Sequence, residues 1–231
     1  MTDLLDRPVW NALTTSQAHL AAVTGEAVRI DPDYGPFAAA RDAGGEAQAA
    51  LAATLQGPDD RIGVVEREAW PVPEGTRVLG GGDLVQMVWD APPPPGADDP
   101  RIEPLKARDA KQMAALAHAT EPGPWGPKTH CYGDYFGIRI GGKLAAMAGE
   151  RMRLPGLVEL SGVSTWPEFR GQGLATVLVR RVVRGFLARG ETPFLHCYAA
   201  NVGAIGLYET LGFRVRTRMC FTILALDLRG A

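Results

Sequence analysis

The chain has 231 residues, of which 46% are hydrophobic and 22% are charged, and its formal net charge is −2. This length allows one large domain or two small ones, and the nearly neutral charge gives no electrostatic reason to expect nucleic acid or an anionic membrane as a partner. No run of about 18 apolar residues predicts a transmembrane helix, and the first ten residues lack the basic and apolar segments of a secretory signal. We therefore expect a soluble, cytoplasmic protein.

The residues before position 91 predict a small α/β unit. The alanine-rich residues 36–56 predict one or two helices, and residues 61–70 and 78–90 predict strands. Three glycines at 80–82 interrupt the second strand. A phosphate-binding loop would be followed by a helix, whereas strand-like residues follow these glycines, so a turn or bulge is the better interpretation.

A run of prolines then divides the chain. Consecutive prolines lack backbone donors and favour extended geometry, so residues 91–100 (APPPPGADDP) predict a connection between units. We place an N-terminal subdomain at residues 1–95, a proline-rich linker at 96–100 and a second domain at 101–231.

After the linker the predicted elements follow one another closely. A helix is predicted at 107–120, and residues 121–134 form a loop rich in proline and glycine. The glycine pair at 141–142 suits a hairpin turn, and the segment 174–189 has the apolar residue at every fourth position that is typical of a helix. The other predicted elements are strands at 135–140, 143–151, 157–165, 193–198 and 216–226 and a helix at 202–211.

This order of elements predicts an α/β fold in which helices cover a mixed sheet. The helix at 174–189 joins the strand that ends at Thr165 to the strand at 193–198. Because such helical crossovers connect parallel strands, we expect these two strands to be parallel.

The segment from Val163 to Ala175 carries the clearest chemical signal. It runs from a strand end, through a turn, into the start of the strong helix, where amide N–H groups lack partners and the dipole favours negative charge. Gly171 and Gly173 let the backbone approach an anion closely, and Arg170 adds a positive charge. The segment predicts a cradle for a pyrophosphate; the alternative is an ordinary strand-to-helix connection. It fits neither the G-x-G-x-x-G nor the P-loop pattern.

Arg170-x-x-Gly173-x-Ala175 resembles the R/Q-x-x-G-x-G/A signature of the GCN5-related N-acetyltransferases (GNAT). Together with residues 201–213, it is most similar to the FR47-like branch, and the resemblance covers residues 101–226. It implies the GNAT fold and acetyl-CoA as the acyl donor. The cofactor-binding residues that it implies are Val163, Ser164, Thr165, Arg170, Gly171, Gln172, Gly173, Leu174, Ala175, Asn201 and Tyr208.

Asn201 and Tyr208 are seven residues apart, two turns of a helix, so they share a face. Asn201 lies at the helix start, where it can cap the helix and also reach a ligand amide. The resemblance implies that Asn201 contacts the pantetheine arm and that Tyr208 gives a proton to the departing thiolate; the alternative is a tyrosine packed under the sheet. It also implies that the strands at 157–165 and 193–198 splay apart to admit that arm.

Two glutamates are the candidate general bases. If the turn at 153–156 closes its hairpin symmetrically, Glu150 and Glu159 lie directly across from each other, and their repulsion should raise the pKa of one of them. Glu159 is preferred because it is closer in sequence to the cofactor segment; the alternative is two solvated glutamates. Glu121, in the loop after the first helix, could instead contact the substrate amine.

The cysteines and histidines indicate no metal site. Cys131, Cys197 and Cys220 are far apart without C-x-x-C spacing, so we expect reduced thiols, with Cys197 in a packing role. His130 and Cys131 are adjacent, but two neighbours cannot complete a tetrahedral site by themselves.

We therefore predict an N-acetyltransferase in which the primary amine of a small molecule or peptide attacks acetyl-CoA directly in a ternary complex, with a backbone amide near residues 163–165 stabilising the oxyanion. Two alternatives stay open. An N-terminal region before an FR47-like domain resembles the layout of glycine N-acyltransferases, which implies an amino-acid acceptor and an acyl group larger than acetyl. The chain could also be a non-catalytic CoA-binding module.

Residues 1–95 are expected to wall the acceptor site, and a degenerate copy of the GNAT fold is one candidate for them. The sequence does not name the acceptor amine. It also leaves the oligomeric state open, a homodimer included.

Overall fold

The computed structural model describes residues 3–228, which form two β-sheets and five α-helices. The helices are α1 (Pro8–Thr14), α2 (Gly45–Ala53), α3 (Ala110–Thr120), α4 (Leu174–Ala188) and α5 (Val202–Leu211). The strands are β1 (Ala21–Thr24), β2 (Ala27–Ile30), β3 (Ala38–Ala40), β4 (Ile62–Glu66), β5 (Thr76–Trp89), β6 (Ile102–Pro104), β7 (Tyr135–Ile140), β8 (Lys143–Leu154), β9 (Leu157–Thr165), β10 (Thr192–Tyr198) and β11 (Phe213–Leu226).

The large sheet contains eight strands in the order β4-β11-β5-β10-β9-β8-β7-β6, and β1, β2 and β3 form a separate small sheet. Neighbours in the large sheet are antiparallel except for β9 and β10, which are parallel. Helix α4 crosses from β9 to β10, so this parallel pair arises as predicted. The predicted α/β class with a mixed sheet is confirmed.

Most elements predicted after the linker are present with nearly the predicted bounds. Strands β7 and β9 and helix α5 have the predicted ends, whereas β8 continues to Leu154 and β11 begins earlier, at Phe213. Within residues 3–228, no helix is both long and apolar enough to cross a membrane.

Two features of the N-terminal region depend on its surroundings. Residues 36–56 are only partly helical: Ala38–Ala40 form β3, where they are buried and pair with β2. This pairing overrides the helical preference of alanine, so the predicted helix is present at Gly45–Ala53 and the prediction is wrong for residues 38–40. The glycines at 80–82 lie within β5, where the register to β11 slips by one residue at Leu79. The predicted bulge is therefore present.

The two faces of the large sheet have separate cores. Helix α4 packs on one face through Leu178, Val182 and other fully buried apolar residues. Phe194 and Leu195 are consecutive in β10, but Leu195 belongs to the α4 core whereas Phe194 packs with Phe37 and other residues near α1. Because successive strand residues face opposite sides, α1 and the small sheet cover the other face.

Strands from both sides of the proline-rich linker share the large sheet. Strands β4 and β5 precede the linker, and β5 pairs with β10 along one edge and with β11 along the other. The linker lies on α4, where Arg184 donates to the carbonyl of Pro94 at 3.4 Å and binds the carboxylate of Asp98. The division into two domains at residues 96–100 stays a prediction.

Candidate active site

Strands β9 and β10 separate after a short stretch of pairing. They pair over residues 157–159 and 192–194. Beyond this point β9 has a bulge, where its register to β8 shifts and Gly162 adopts a φ of +62°. The two strands therefore splay apart, as the resemblance implies, and their backbone groups face an opening.

A cavity of about 450 Å³ occupies this opening. One end reaches the start of α4, and the other lies beyond the gap, between the loop after α3 and the N-terminal region. The predicted cofactor-binding residues on its wall are Val163, Ser164, Thr165, Arg170, Ala175, Asn201 and Tyr208.

The start of α4 presents unpaired backbone amides. Gly173 is the N-cap with a φ of +73°, and Gly171 has a φ of +76°, conformations that favour glycine. Within residues 3–228, the N–H groups of residues 171–176 have no backbone acceptor. Gln172 lies exposed between the two glycines. The depression in front of these amides is lined by Thr165, Phe169, Arg170, Gly171, Gly173, Leu174, Ala175, Thr176 and Leu207.

The electrostatics of this depression suit an anion. The free N–H groups and the dipole of α4 make its start positive. Arg170 is exposed there, and its Nε lies 3.4 Å from the carbonyl oxygen of Thr165, to which it donates. The turn at 170–175 and the strand end at 163–165 both contain predicted cofactor residues. The structure places these two segments on one continuous surface.

Helix α5 places Asn201 and Tyr208 on the cavity wall. The side-chain oxygen of Asn201 accepts the N–H of Ala204 at 3.1 Å, which caps the helix and leaves the Nδ2 donors available. Tyr208 packs edge-on against Phe213 with ring centroids 5.9 Å apart. Burial, and to a lesser extent Cys197, raise the pKa of Tyr208, so its hydroxyl stays protonated at neutral pH.

Two hydroxyl groups on the wall lack partners. Ser164 Oγ and Thr165 Oγ1 are buried, and neither makes a hydrogen bond within the part of the chain that the structure describes. Leaving a buried hydroxyl unpaired costs about 1–3 kcal/mol. Both groups are therefore suited to bind polar atoms of a ligand in the gap.

Glu150 and Glu159 are not directly opposed, so this prediction is wrong. Glu150 pairs with Leu160, and an extra residue in β8 shifts the register so that Arg151 lies beside Glu159. The predicted rise in pKa is also wrong for Glu159. Burial by itself would raise its pKa, but the charge of Arg151 and hydrogen bonds from Arg151 and His196 hold it well below the ordinary value.

Both glutamates are buried and bound by arginines. The two oxygens of Glu159 accept Nε and Nη2 of Arg151 at 2.8 and 2.7 Å. Glu150 accepts from Arg153 and, at 3.0 Å, from Arg189. Neither carboxylate lies on the cavity wall, so neither is placed to take a proton from an amine there directly.

The structure adds Arg151 and His196 to the wall. His196 Nδ1 donates to Glu159 Oε1 at 2.8 Å, and its Nε2 accepts from Gln86 Nε2 at 3.1 Å. The sequence carries no signal for either residue. Arg151 meets Glu159 only through the register of the β8–β9 hairpin, and the partners of His196 come from distant segments. Glu121, the candidate amine contact from the sequence, also lies on the wall and is exposed.

The wall beyond the gap is mainly apolar. Three of its residues, Phe37, Val65 and Leu84, belong to the N-terminal region, which therefore contributes to the surface of the cavity. The apolar side chains there are Phe37, Val65, Leu84, Met152 and Phe221.

Comparisons with known proteins agree with this geometry. The family model described as FR47-like protein matches residues 135–222. A solved structure from Novosphingobium aromaticivorans, assigned to the GNAT family of acetyltransferases, is 54% identical, with 96% of this chain and 98% of that chain covered and a TM-score of 0.91. The ribosomal protein bS18-alanine N-acetyltransferase of Escherichia coli (strain K12) is 29% identical over 122 residues, 50% of this chain and 82% of its own length.

A second solved structure, a GCN5-related N-acetyltransferase from Kribbella flavida, shares the fold. It is 18% identical, covers 94% of this chain and 95% of its own, and has a TM-score of 0.59. The relationship at 54% identity extends over nearly the whole chain, N-terminal region included. The chain therefore belongs to the GNAT family of N-acetyltransferases, in its FR47-like branch, and is an acyltransferase.

Proposed function

We propose that this acyltransferase passes an acetyl group from acetyl-CoA directly to the primary amine of a small molecule or peptide. The observation that carries the proposal is one continuous cavity. It runs from the start of α4, through the gap between β9 and β10, to Tyr208 and His196. A donor and an acceptor that enter from opposite ends meet in the gap, so no covalent enzyme intermediate is required.

The donor end suits coenzyme A. Its pyrophosphate binds the unpaired amides of residues 171–176 and the charge of Arg170. The splayed part of β9 can pair with the amide groups of the pantetheine arm, in the manner of an added strand. Asn201 Nδ2 and the unpartnered hydroxyls of Ser164 and Thr165 supply further hydrogen bonds there.

The transfer itself needs an acid, a base and a site for the oxyanion. As the amine nitrogen bonds to the carbonyl carbon, the carbon–sulfur bond breaks, and Tyr208 gives its proton to the departing thiolate. Burial keeps this hydroxyl protonated, as an acid requires. A backbone amide at the bulge, near Val163, stabilises the oxyanion.

We assign removal of the amine proton to His196 instead of Glu159 or Glu150. Because Glu159 accepts from Nδ1, the lone pair of the imidazole is on Nε2. For Nε2 to accept this proton, the amine or a bridging water takes the place of the Gln86 amide that donates to it. When Nε2 takes the proton, the Glu159 carboxylate stabilises the imidazolium, so Glu159 acts as a positioning residue.

The test combines calorimetric titration of CoA and acetyl-CoA with an assay of thiol release across a panel of amines. We expect both nucleotides to bind and thiol release to depend on the amine. Binding without amine-dependent release would favour the CoA-binding module. A protein that binds neither CoA nor acetyl-CoA would refute the proposal.

Replacing His196 by Gln tests the base. We expect kcat/KM for the amine to fall about 100-fold or more at neutral pH, and the loss to shrink at high pH, where the amine is already neutral. The KM for acetyl-CoA should not change. Glu150→Gln is the matched control, because Glu150 is buried but off the wall. A loss that is the same at every pH would contradict the assignment.

A further inference from the structure

The acceptor end of the cavity contains one buried cation with unused donors. Arg151 is 9% exposed and lies on the wall, and Glu159 occupies its Nε and Nη2. Its Nη1 makes no hydrogen bond within residues 3–228 and lies near the loop at Gly123. The guanidinium also stacks over Phe37, with 5.0 Å from Cζ to the ring centroid. Arg151 is thus held rigidly, with Nη1 free to bind a ligand.

Two tyrosine hydroxyls that interact electrostatically with Arg151 are also unsatisfied. The Oη atoms of Tyr132 and Tyr135 are buried and have no hydrogen-bond partner in the described part of the chain. Both hydroxyls interact electrostatically with Arg151 and Glu159. Buried polar groups normally have partners. Neither tyrosine lies on the cavity wall, so Nη1 of Arg151 is the unused donor here that a ligand in the cavity can reach.

The charges at this end of the cavity restrict the net charge of the ligand that can bind there. Arg151 and Glu159 cancel each other, His196 is neutral when Nε2 accepts from Gln86, and Glu121 adds a negative charge at the rim. A simple anion would meet no net positive charge. A zwitterion fits better, because its anionic group binds the Nη1 donors while its ammonium approaches Glu121 before deprotonation.

The positions of Arg151 and His196 also bear on the ligand. Arg151 Nη2 and His196 Nδ1 bind the same atom, Glu159 Oε1, at 2.7 and 2.8 Å. The base and the guanidinium are therefore adjacent. A substrate that contacts both side chains therefore carries an amine and an acceptor group in one molecule, as an amino acid does.

We propose that the acceptor is an α-amino acid with an apolar side chain, whose carboxylate binds Nη1 of Arg151 and whose amine lies beside His196. This inference rests on the proposed function and deepens it. The side chain of the amino acid packs against Phe37, Val65 and Leu84, which line the same end of the cavity. Arg151 is then the residue that determines acceptor specificity.

The experiment compares three amines with the same apolar body. L-Leucine has the carboxylate, leucinamide has only a carbonyl in its place, and isoamylamine has neither. With the full chain and acetyl-CoA, we expect kcat/KM for leucine to exceed that for the other two by about 10- to 100-fold, the range for losing charge-assisted hydrogen bonds. Calorimetric titration of the same amines into the CoA complex should show the same order.

A pair of double variants tests the residue. Arg151→Met with Glu159→Gln removes the guanidinium, leaves no unpaired buried charge and keeps an acceptor for His196. We expect the leucine-to-isoamylamine ratio to fall to near one, whatever happens to the overall rate. Arg153→Met with Glu150→Gln removes a similar pair from the same strand but off the wall, and should keep the ratio.

The outcomes separate the two proposals. If amines stimulate thiol release but leucine has no advantage in kcat/KM or in binding, the amino-acid inference is overturned and the transferase function stands. If leucine binds more tightly than leucinamide but nothing is acetylated, the Arg151 site stands and the proposed function fails. A preference that survives the loss of Arg151 also overturns the inference.

Discussion

Among individual residues, Glu159, Arg151 and His196 form a buried network at the cavity. Glu159 is completely enclosed and binds both Arg151 and His196. The network continues through Gln86, whose side-chain oxygen accepts from Arg216 at 2.8 Å. Two ions taken out of water gain little net stability, but removing one of them leaves the other without compensation. The network is therefore best understood as a device that holds His196 and Arg151 in one geometry.

Glu159→Gln should destabilise the protein by about 3–5 kcal/mol at neutral pH, because Arg151 is left buried and unpaired. The folded-state pKa of Glu159 lies below its ordinary value of 4.5, so its contribution is present above about pH 4.5 and is lost as the pH falls further. Urea unfolding of both proteins at several pH values measures this. The difference between their free energies of unfolding should become smaller in acid. A difference that is constant with pH would contradict the assigned charge.

Tyr208→Phe removes only the hydroxyl that we assign as the acid. We expect kcat to fall about 100-fold or more, with little change in KM for acetyl-CoA or in stability, since the ring still packs on Phe213. Steady-state kinetics and thermal unfolding check both expectations. Tyr34→Phe, off the main cavity wall, is the control and should retain full activity. A Tyr208→Phe enzyme with normal kcat would show that the tyrosine only packs.

At the level of elements, the proposed donor site is built from α4 and β9. The glycine turn before α4 exposes amides to an anion, and the bulge at Gly162 turns β9 away from β10. Each depends on a backbone conformation with positive φ, which glycine adopts at little cost.

Gly173→Ala tests whether these amides bind the donor. Gly173 and Gly190 both have a φ of +73°, lie near the two ends of α4, and have no atom within 4 Å of an added Cβ. Either change to alanine should therefore cost a similar stability, about 1 kcal/mol. Only Gly173→Ala should weaken CoA binding in calorimetric titration. Equal affinities in the two variants would argue against a pyrophosphate site at the start of α4.

For the molecule as a whole, the order of strands determines what can fold alone. Strand β5 lies between β10 and β11, although it precedes the linker in the chain. Without residues 1–100, β10 loses the partner along one edge, β11 loses both of its partners, and the sheet face that α1 covers loses its cover. The N-terminal region also supplies Phe37 and Val65 to the cavity.

We therefore expect a fragment of residues 101–231 not to fold, although it contains the whole GNAT signature. Circular dichroism and denaturant unfolding should show no cooperative transition for the fragment, in contrast to the full chain. Co-expression with residues 1–100 should restore a folded complex if β5 can insert from a separate chain. A fragment with a cooperative transition and CoA affinity would instead support two independent domains.

The local sequence was sufficient for much of the second half of the chain. The apolar period of α4, the glycine-rich turn at 170–175 and the seven-residue spacing of Asn201 and Tyr208 all depend on residues close together in the chain. The parallel pairing of β9 and β10 follows from the helix between them. Fold class and family could therefore be predicted before any contact was known, and the donor site stays a prediction.

The residues at the proposed acceptor end could not be predicted from local sequence, because their positions depend on strand register and on contacts between distant segments. One extra residue in β8 moved Glu150 out of line with Glu159 and brought Arg151 to it instead. His196 became a cavity residue only because β10 pairs with β5, more than a hundred residues earlier in the chain. Strand pairing over such distances is encoded in packing across the whole sheet, and no short motif records it.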